Sequence, residues 1–254
     1  MRLDLFLVQQ KLAVSRTQAQ DFVTNGYVFF NKDNQRTVLK KPSFEVTDEN
    51  SNSITVEKNP LQKYVSRGGL KLEAALKRLN VIVQGKTALD IGQSTGGFTD
   101  CLLQAGAVQV VGVDVGHSQL HQSLRHESVV VFENLNVKDL AAHPEFLSRV
   151  PSRLFEIIVM DVSFISVTKV IPHLAALLAV GGEYLILVKP QFECGQENLD
   201  KNGIVKSVRV YAEIEKNERE CAQKYFKNVS AYFESELAGK DGNQEFFIYG
   251  KKSN

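Results

Sequence analysis

The spacing of apolar and polar positions changes character once along the chain, near residue 66. Beyond it, short apolar runs at 87–91, 108–113, 129–132, 156–160 and 183–188 alternate with stretches long enough for a helix. Strands buried on both faces read as near-continuous apolar runs, and the intervening helices supply the crossovers that parallel pairing requires. The pattern predicts an α/β domain on a mostly parallel, Rossmann-like sheet. Two later runs, 229–233 and 246–249, lie close together across a short Gly-containing connection. A parallel crossover needs about a dozen residues or more, usually with a helix, so the last two strands are expected to be antiparallel, giving one reversed strand.

The first part of the chain follows another rhythm. Residues 3–8 are apolar apart from Asp4, and Ser15-Arg16-Thr17-Gln18 then has the Ser-x-x-Gln form of a capping box. A helix is expected to start at Ser15 and to run to about Asn25, where Asn25-Gly26 supplies the left-handed residue that ends it. Residues 27–30 read as a strand that enters a turn through Asn31-Lys32-Asp33-Asn34, with short β segments near 44–46 and 54–56. So few short elements make a weak core, and this unit is expected to lean on a partner or ligand. The domain organisation is therefore a small α+β domain over 1–58, a linker over 59–65 that contains Asn59-Pro60, and an α/β domain over 66–254.

Composition narrows the class. A chain of 254 residues with 43% hydrophobic content can fill one α/β core and a smaller companion. Its formal net charge of +1 does not announce a polyanionic partner, so any nucleic-acid role must rest on motifs. The chain starts without an apolar leader, and its longest apolar stretch, 170–180, is broken by Pro172 and His173. No membrane association and a cytoplasmic location are expected. Cys101, Cys194 and Cys221 are far apart and form no metal-ligand spacing, so no metal and no disulfide framework are expected.

The segment from Asp90 to Asp100, Asp-Ile-Gly-Gln-Ser-Thr-Gly-Gly-Phe-Thr-Asp, follows the first strand of the large domain and opens a helix. Glycines there let the backbone approach a ligand closely, and open α/β sheets bind ligands at the carboxyl ends of their strands. Ser94 breaks the Gly-x-Gly-x-x-Gly dinucleotide pattern, which argues against a nicotinamide-dependent oxidoreductase. Asp114 ends the second strand, where a carboxylate can accept both hydroxyls of a ribose, and Asn136 and Asp139 follow the third strand, where they can face an adenine. A nucleoside cofactor is the expected ligand, with Asp90, Gly92, Ser94, Gly96, Gly97, Phe98, Thr99, Asp114, Asn136 and Asp139 as candidate contacts.

The fourth strand ends at Asp161 and the fifth at Lys189, both beside this site. Lys71 lies on the helix begun by Ser66-Arg67-Gly68-Gly69, and Glu245 opens the last strand after Gly239-Lys240-Asp241-Gly242-Asn243. Two lysines and two acids can thus converge. An alcohol hydroxyl is too weak an acid to react unaided at neutral pH, and transferring a group to it needs a base and an aligned donor. A lysine disfavoured as ammonium by a second lysine and by burial can serve, with the acids orienting it.

These segments, together with Arg2-Leu3-Asp4, Ser15-Arg16, the run Tyr64 to Leu72, Asp114-Val115-Gly116, Met160 to Ser166 and Leu187 to Glu193, resemble the TlyA family of ribosomal RNA 2′-O-methyltransferases. That family, also called hemolysin A, sits within the wider FtsJ-like group, and the resemblance covers nearly the whole chain. It implies S-adenosyl-L-methionine as cofactor and a Lys-Asp-Lys-Glu catalytic tetrad falling on Lys71, Asp161, Lys189 and Glu245. It also implies an N-terminal RNA-binding domain of the αL type shared with a ribosomal protein and pseudouridine synthases. The implied substrate is a cytidine ribose in large-subunit rRNA, and in some members one in small-subunit rRNA, so ribosomal RNA or ribosomal subunits are the expected partners. Arg2, Lys11, Arg16, Lys32, Lys40, Lys41 and Arg67 are the expected RNA contacts. Gln93 stands where a small residue is expected, and Asn31 to Asn34 replace an Asn-Gly hairpin turn. Competing readings are an rRNA-binding assembly factor without turnover, opposed by the presence of all four tetrad types, and a membrane-damaging hemolysin, opposed by the lack of a spanning or basic amphipathic helix.

Overall fold

The structure is a computed structural model that describes residues 1–33, 35–150, 154–239 and 241–254. Asn34 of the expected turn and Lys240 before the last strand lie outside the described residues.

The N-terminal unit packs helices α1 (Leu3–Gln9) and α2 (Arg16–Thr24) beside an antiparallel sheet of β1 (Val28–Lys32), β2 (Gln35–Val38) and, after the short α3 (Asp48–Ser51), β3 (Ile54–Val56), in the order β2-β1-β3. Its core is Leu3, Leu7, Ala19, Phe22, Val23 and Val28. Ser15 caps α2 as expected, its hydroxyl accepting from the Gln18 N–H at 3.1 Å. Gln18 does not close a capping box. Its buried amide instead accepts from Val14 N and donates to the carbonyls of Leu61 and Tyr64, both at 3.0 Å. The expected β segment at 44–46 is reduced to an isolated bridge between Arg2 and Glu45. The strand that exists instead, β2, is exposed at all four positions, so no burial alternation marked it in the sequence. Asp33 takes a φ of +49° in the turn leaving β1.

The second unit begins with α4 (Gly68–Leu79) and continues through β4 (Thr87–Ile91), α5 (Gly97–Gln104), β5 (Gln109–Val113), β6 (Val129–Phe132), α6 (Val137–Leu140), α7 (Pro144–Arg149), β7 (Phe155–Met160), α8 (Ile171–Leu174) and β8 (Leu178–Val188). It ends with α9 (Pro190–Glu193), α10 (Val208–Phe226), β9 (Ala231–Glu234) and β10 (Phe246–Lys251). The seven strands lie in the order β6-β5-β4-β7-β8-β10-β9, parallel except for β10, which runs antiparallel to both neighbours. This is the mostly parallel sheet with one reversed strand that the apolar runs predict. Strand β8 starts five residues before the expected run because Leu178 pairs with Phe155 ahead of a register shift.

Alternate strand residues feed two cores, as period-2 side chains on a sheet covered on both faces must. Leu89, Ile91, Ile158, Met160 and Ile186 face α8 and α10, while Ala88, Ile157, Val159, Leu185 and Leu187 face α4 and α5. The strand order reverses between β4 and β7, and the crevice outside their carboxyl ends is where open α/β sheets bind ligands. The two units are tied beside that crevice. Val65 N donates to Asp100 on α5 at 2.8 Å, and His121 Nε2 lies 3.0 Å from the Val14 carbonyl. No helix among the described residues is long and apolar enough to cross a membrane.

Candidate functional site

The turn from β4 into α5 is shaped by close approach. Gly92 has a φ of +81°, and a Cβ there would come within 2.3 Å of the Asp161 carbonyl oxygen at the end of β7. A Cβ on Gly97 would strike the Ser66 hydroxyl at 2.2 Å, so this glycine lets α5 meet the start of α4. Asp90 is fully buried behind the turn: Thr99 donates to its Oδ2 at 2.6 Å while Oδ1 has no hydrogen-bond partner among the described residues. Burial pushes the Asp90 carboxyl up to about 7. Gln93 completes this chain, donating to the Thr99 hydroxyl at 2.9 Å from a space that opens because Gly112 on β5 has no side chain. Gln93 is thus an extra buried hydrogen-bonding side chain in a site expected to hold a small residue.

Two cavities flank the turn. One, of about 330 Å³, is lined by Asp114 and Asn136 with apolar walls from Val115, Leu135 and Ile165. Asp114 accepts from Ser94 N and Gly116 N, both at 2.7 Å, one on each oxygen, so it also fixes the turn. Asn136 caps α6 by accepting from Lys138 N at 3.1 Å. Asp139, expected to face an adenine, is exposed and is not among the residues that line either cavity. One helical turn beyond the strand end has carried it outward. Asp90, Gly96 and Thr99 likewise lie outside the linings and support the turn from behind.

The second cavity, of about 430 Å³, brings together Lys71, Asp161, Lys189 and Glu245. It shares Gly92, Ser94, Asp161 and Ser163 with the first, so the two abut at the β4–β7 crevice. Lys71 on α4 and Glu245 just before β10 form a buried ion pair. Lys189 at the end of β8 lies 2.5 Å from Asp161 Oδ1 and donates to the Ser163 hydroxyl at 3.0 Å. The two lysines therefore do not simply oppose each other: each ammonium has its own carboxylate, and the arrangement is two crossed ion pairs. Burial raises the Glu245 carboxyl above its ordinary range, against the attraction of Lys71 beside it.

Several lining residues were not singled out by the sequence. Gln191 donates to Asp241 at 2.8 Å across the mouth of the larger cavity. Thr17, from the N-terminal unit, reaches the same lining, and no spacing along the chain signals this. Phe164 is 90% exposed at a φ of +65°, with its ring 5.0 Å from that of Phe192. An aromatic between two serines in the strand-end segment Ser163-Phe164-Ile165-Ser166 was the available signal.

The basic residues divide. Arg67 lines the larger cavity, and Lys11, Lys32, Lys40 and Lys41 are exposed on the N-terminal unit. Arg2 and Arg16 are half-exposed but anchored, both bonding the buried Asp4 at 3.0 Å. They are first of all structural cations. No cluster of potential metal ligands occurs among the described residues.

Comparison with known proteins agrees with this architecture. Residues 64–252 match the FtsJ-like methyltransferase family and residues 1–50 match the S4 domain. The 16S/23S rRNA (cytidine-2′-O)-methyltransferase TlyA of Mycobacterium tuberculosis is 37% identical over 249 residues, covering 98% of this chain and 88% of that protein. Hemolysin A of Brachyspira hyodysenteriae is 38% identical over 254 residues, covering 98% and 99%. A solved structure of a hemolysin-named protein from Streptococcus thermophilus superposes with a TM-score of 0.76 at 36% identity, covering all of this chain and 89% of the other. With its seven-stranded sheet carrying one reversed strand, its abutting cavities and these relatives, the chain belongs to the FtsJ-like methyltransferase family, in the TlyA group that carries an S4 domain in front.

Proposed function

We propose that this protein methylates the 2′-hydroxyl of a cytidine in ribosomal RNA, using S-adenosyl-L-methionine, in the cytoplasm. The observation that carries the reading is the pair of abutting cavities, one suited to a nucleoside and one holding two lysine–carboxylate pairs. The residues fit the cofactor. Gly92 leaves a cradle that a Cβ would fill, Asp114 and Asn136 stand at successive strand ends, and the walls around them are apolar. When bound there, S-adenosyl-L-methionine supplies a methyl group poised for transfer.

The chain's own residues then handle the acceptor. Lys189 steers the 2′-hydroxyl or, as the neutral amine, accepts its proton, Asp161 holds the ammonium so formed, and the Lys71–Glu245 pair lines the same cavity. Phe164 and Phe192 at the mouth offer aromatic faces on which an unstacked base can lie, the usual mode of single-stranded RNA recognition. Arg67 in the cavity and the exposed lysines of the N-terminal unit engage phosphates, which makes affinity fall steeply with salt. The domain reading of 1–58, 59–65 and 66–254 gives the first of these units the RNA and the last the cofactor.

The test is transfer of labelled methyl from S-adenosyl-L-methionine to separated ribosomal subunits by the whole protein, followed by mapping of the modified ribose. Labelling at a cytidine 2′-hydroxyl is expected. Absence of label on both subunits, with cofactor bound normally, sinks the reading.

A further inference from the structure

Beside the reactive edge, two acids meet with no cation between them among the described residues. Glu218 projects from the middle of α10 and is 1% exposed. Helix α10 packs on α9, the Glu218 carboxyl meets that of Glu193, the last residue of α9, and the buried Glu218 Oε2 has no cation or other donor among the described residues. Glu193 is engaged on its other side, its Oε1 accepting from Val167 N at 2.9 Å. Val167 ends the segment that begins at Asp161, and α9 follows directly on Lys189, its N-cap. Glu193 therefore spans two strand-end segments, one bearing Asp161 and the other Lys189. Helix α10 packs on both, and Cys221, one turn beyond Glu218, donates to the Thr168 carbonyl at 3.6 Å.

We infer that Glu218 is a positioning residue for the reactive edge: as a neutral carboxyl it donates to Glu193, and so holds the Lys189-bearing helix against the Asp161-bearing segment. A buried carboxyl against a second, half-buried one has no cation to offset two charges, so one keeps a proton, and the deeper, Glu218, is the one to keep it. Burial first, and then the Glu193 charge, push Glu218 up to about 10. The other titratable groups facing the pair are the Cys221 thiol, pushed up to about 11 by burial, and the Tyr232 phenol, also raised by burial. Glu215, Arg219 and Lys224 lie on the same helix. None of these supplies a competing donor to Glu193.

The role of Lys189 and Asp161 in turnover rests on the reading above, so the test has one arm that depends on it and one that does not. In the first, whole protein with Glu218→Gln or Glu218→Leu is assayed on ribosomal subunits, with cofactor affinity measured by calorimetry. The amide still donates to Glu193, and kcat should stay within about twofold of the parent. Leucine cannot donate, and kcat should fall at least about tenfold with cofactor affinity unchanged, as expected for a small misplacement of reacting groups. A leucine variant with parental kcat, or a glutamine variant as slow as leucine, overturns the inference. The second arm needs no turnover. Glu218 has its folded affinity for a proton raised, so its contribution is fully present below the ordinary carboxylate range and declines as pH rises toward about 10. The melting temperature of Glu218→Gln should therefore gain on the parent steadily as pH rises. A constant gap means that Glu218 is already ionised, and overturns the inference even if the leucine variant does not fold. Loss of methyl transfer by the parent itself would remove the functional reading alone.

Discussion

Asp4 in the N-terminal unit and Asp90 in the large sheet both expose no surface, and they hold charge in opposite ways. Asp4 receives hydrogen bonds from Arg2, Arg16 and Gln20, at 2.8 to 3.0 Å, and from the Leu5 N–H. The Arg2 guanidinium above all holds it well below the usual carboxylate range. Asp90 has the Thr99 hydroxyl on one oxygen and no partner on the other, and burial pushes it up to about 7. Neither side chain exposes surface, but Asp90 lies deeper in the fold, and Asp4 alone has cationic donors. A carboxylate saturated by cations is a fixed strut, and its arginines are spent holding it. The lysines of the larger cavity stand between these extremes, each with one carboxylate and with donors left over for a ligand.

If partner count separates reactive cations from structural ones, the largest effect belongs to Lys189. Lys189→Ala should lower turnover by about a thousandfold, in the range of a lost general base, with cofactor affinity little changed. Lys189→Arg should not rescue it, because a guanidinium stays protonated at any usable pH. Near-normal turnover by the arginine variant would show that position 189 needs only positive charge.

The next effect is on stability. Asp4→Ala removes the acceptor that gathers Arg2, Arg16 and Gln20, and should destabilise the N-terminal unit by about 2–3 kcal/mol, as for loss of charged hydrogen bonds whose half-exposed donors can rehydrate. Thermal unfolding should show this loss while cofactor affinity is retained. Since the folded Asp4 is shifted downward, its contribution in the parent is present above the ordinary carboxylate range and fades only as pH falls through its lowered value.

Asp90 should respond in the opposite sense. Its folded value is raised, so stability is greatest below the ordinary carboxylate range and declines as pH rises toward about 7. Asp90→Asn should gain on the parent over that window, by at most about 1.4 kcal/mol per pH unit. A gap independent of pH would mean that Asp90 is ionised throughout, and the contrast with Asp4 would fail. The smallest effect is expected at Asp139: replacement by alanine should leave cofactor affinity within about twofold, while Asn136→Ala weakens it, since only Asn136 lines the cavity. Calorimetry on the two variants separates them.

Much of this was legible in the sequence. Apolar runs buried on both faces marked the parallel strands, the short connection before residue 246 marked the reversed one, and Ser15 marked the start of α2. Asp161, Lys189 and Glu245 were legible as charged residues beside strand ends and Lys71 as one on the helix after Ser66 to Gly69, while their grouping as a tetrad came from the family resemblance. Strand β2 was not legible, since an exposed edge strand has no buried face to impose a pattern, and the 44–46 segment misled because a short apolar run suits a core loop as well as a strand.

The sequence by itself determined which residues can carry charge, bend tightly or fill a core, because those are properties of single side chains and of spacings within one element. Only the tertiary structure decided how the charges are shared: which lysine meets which carboxylate, that Arg2 and Arg16 are bound to Asp4, that Asp139 turns outward, and that Glu218 meets Glu193 across 24 intervening positions. A side chain's charge state depends on its burial and its donors, and these come from elements distant in the chain that only folding brings within a few ångströms of one another.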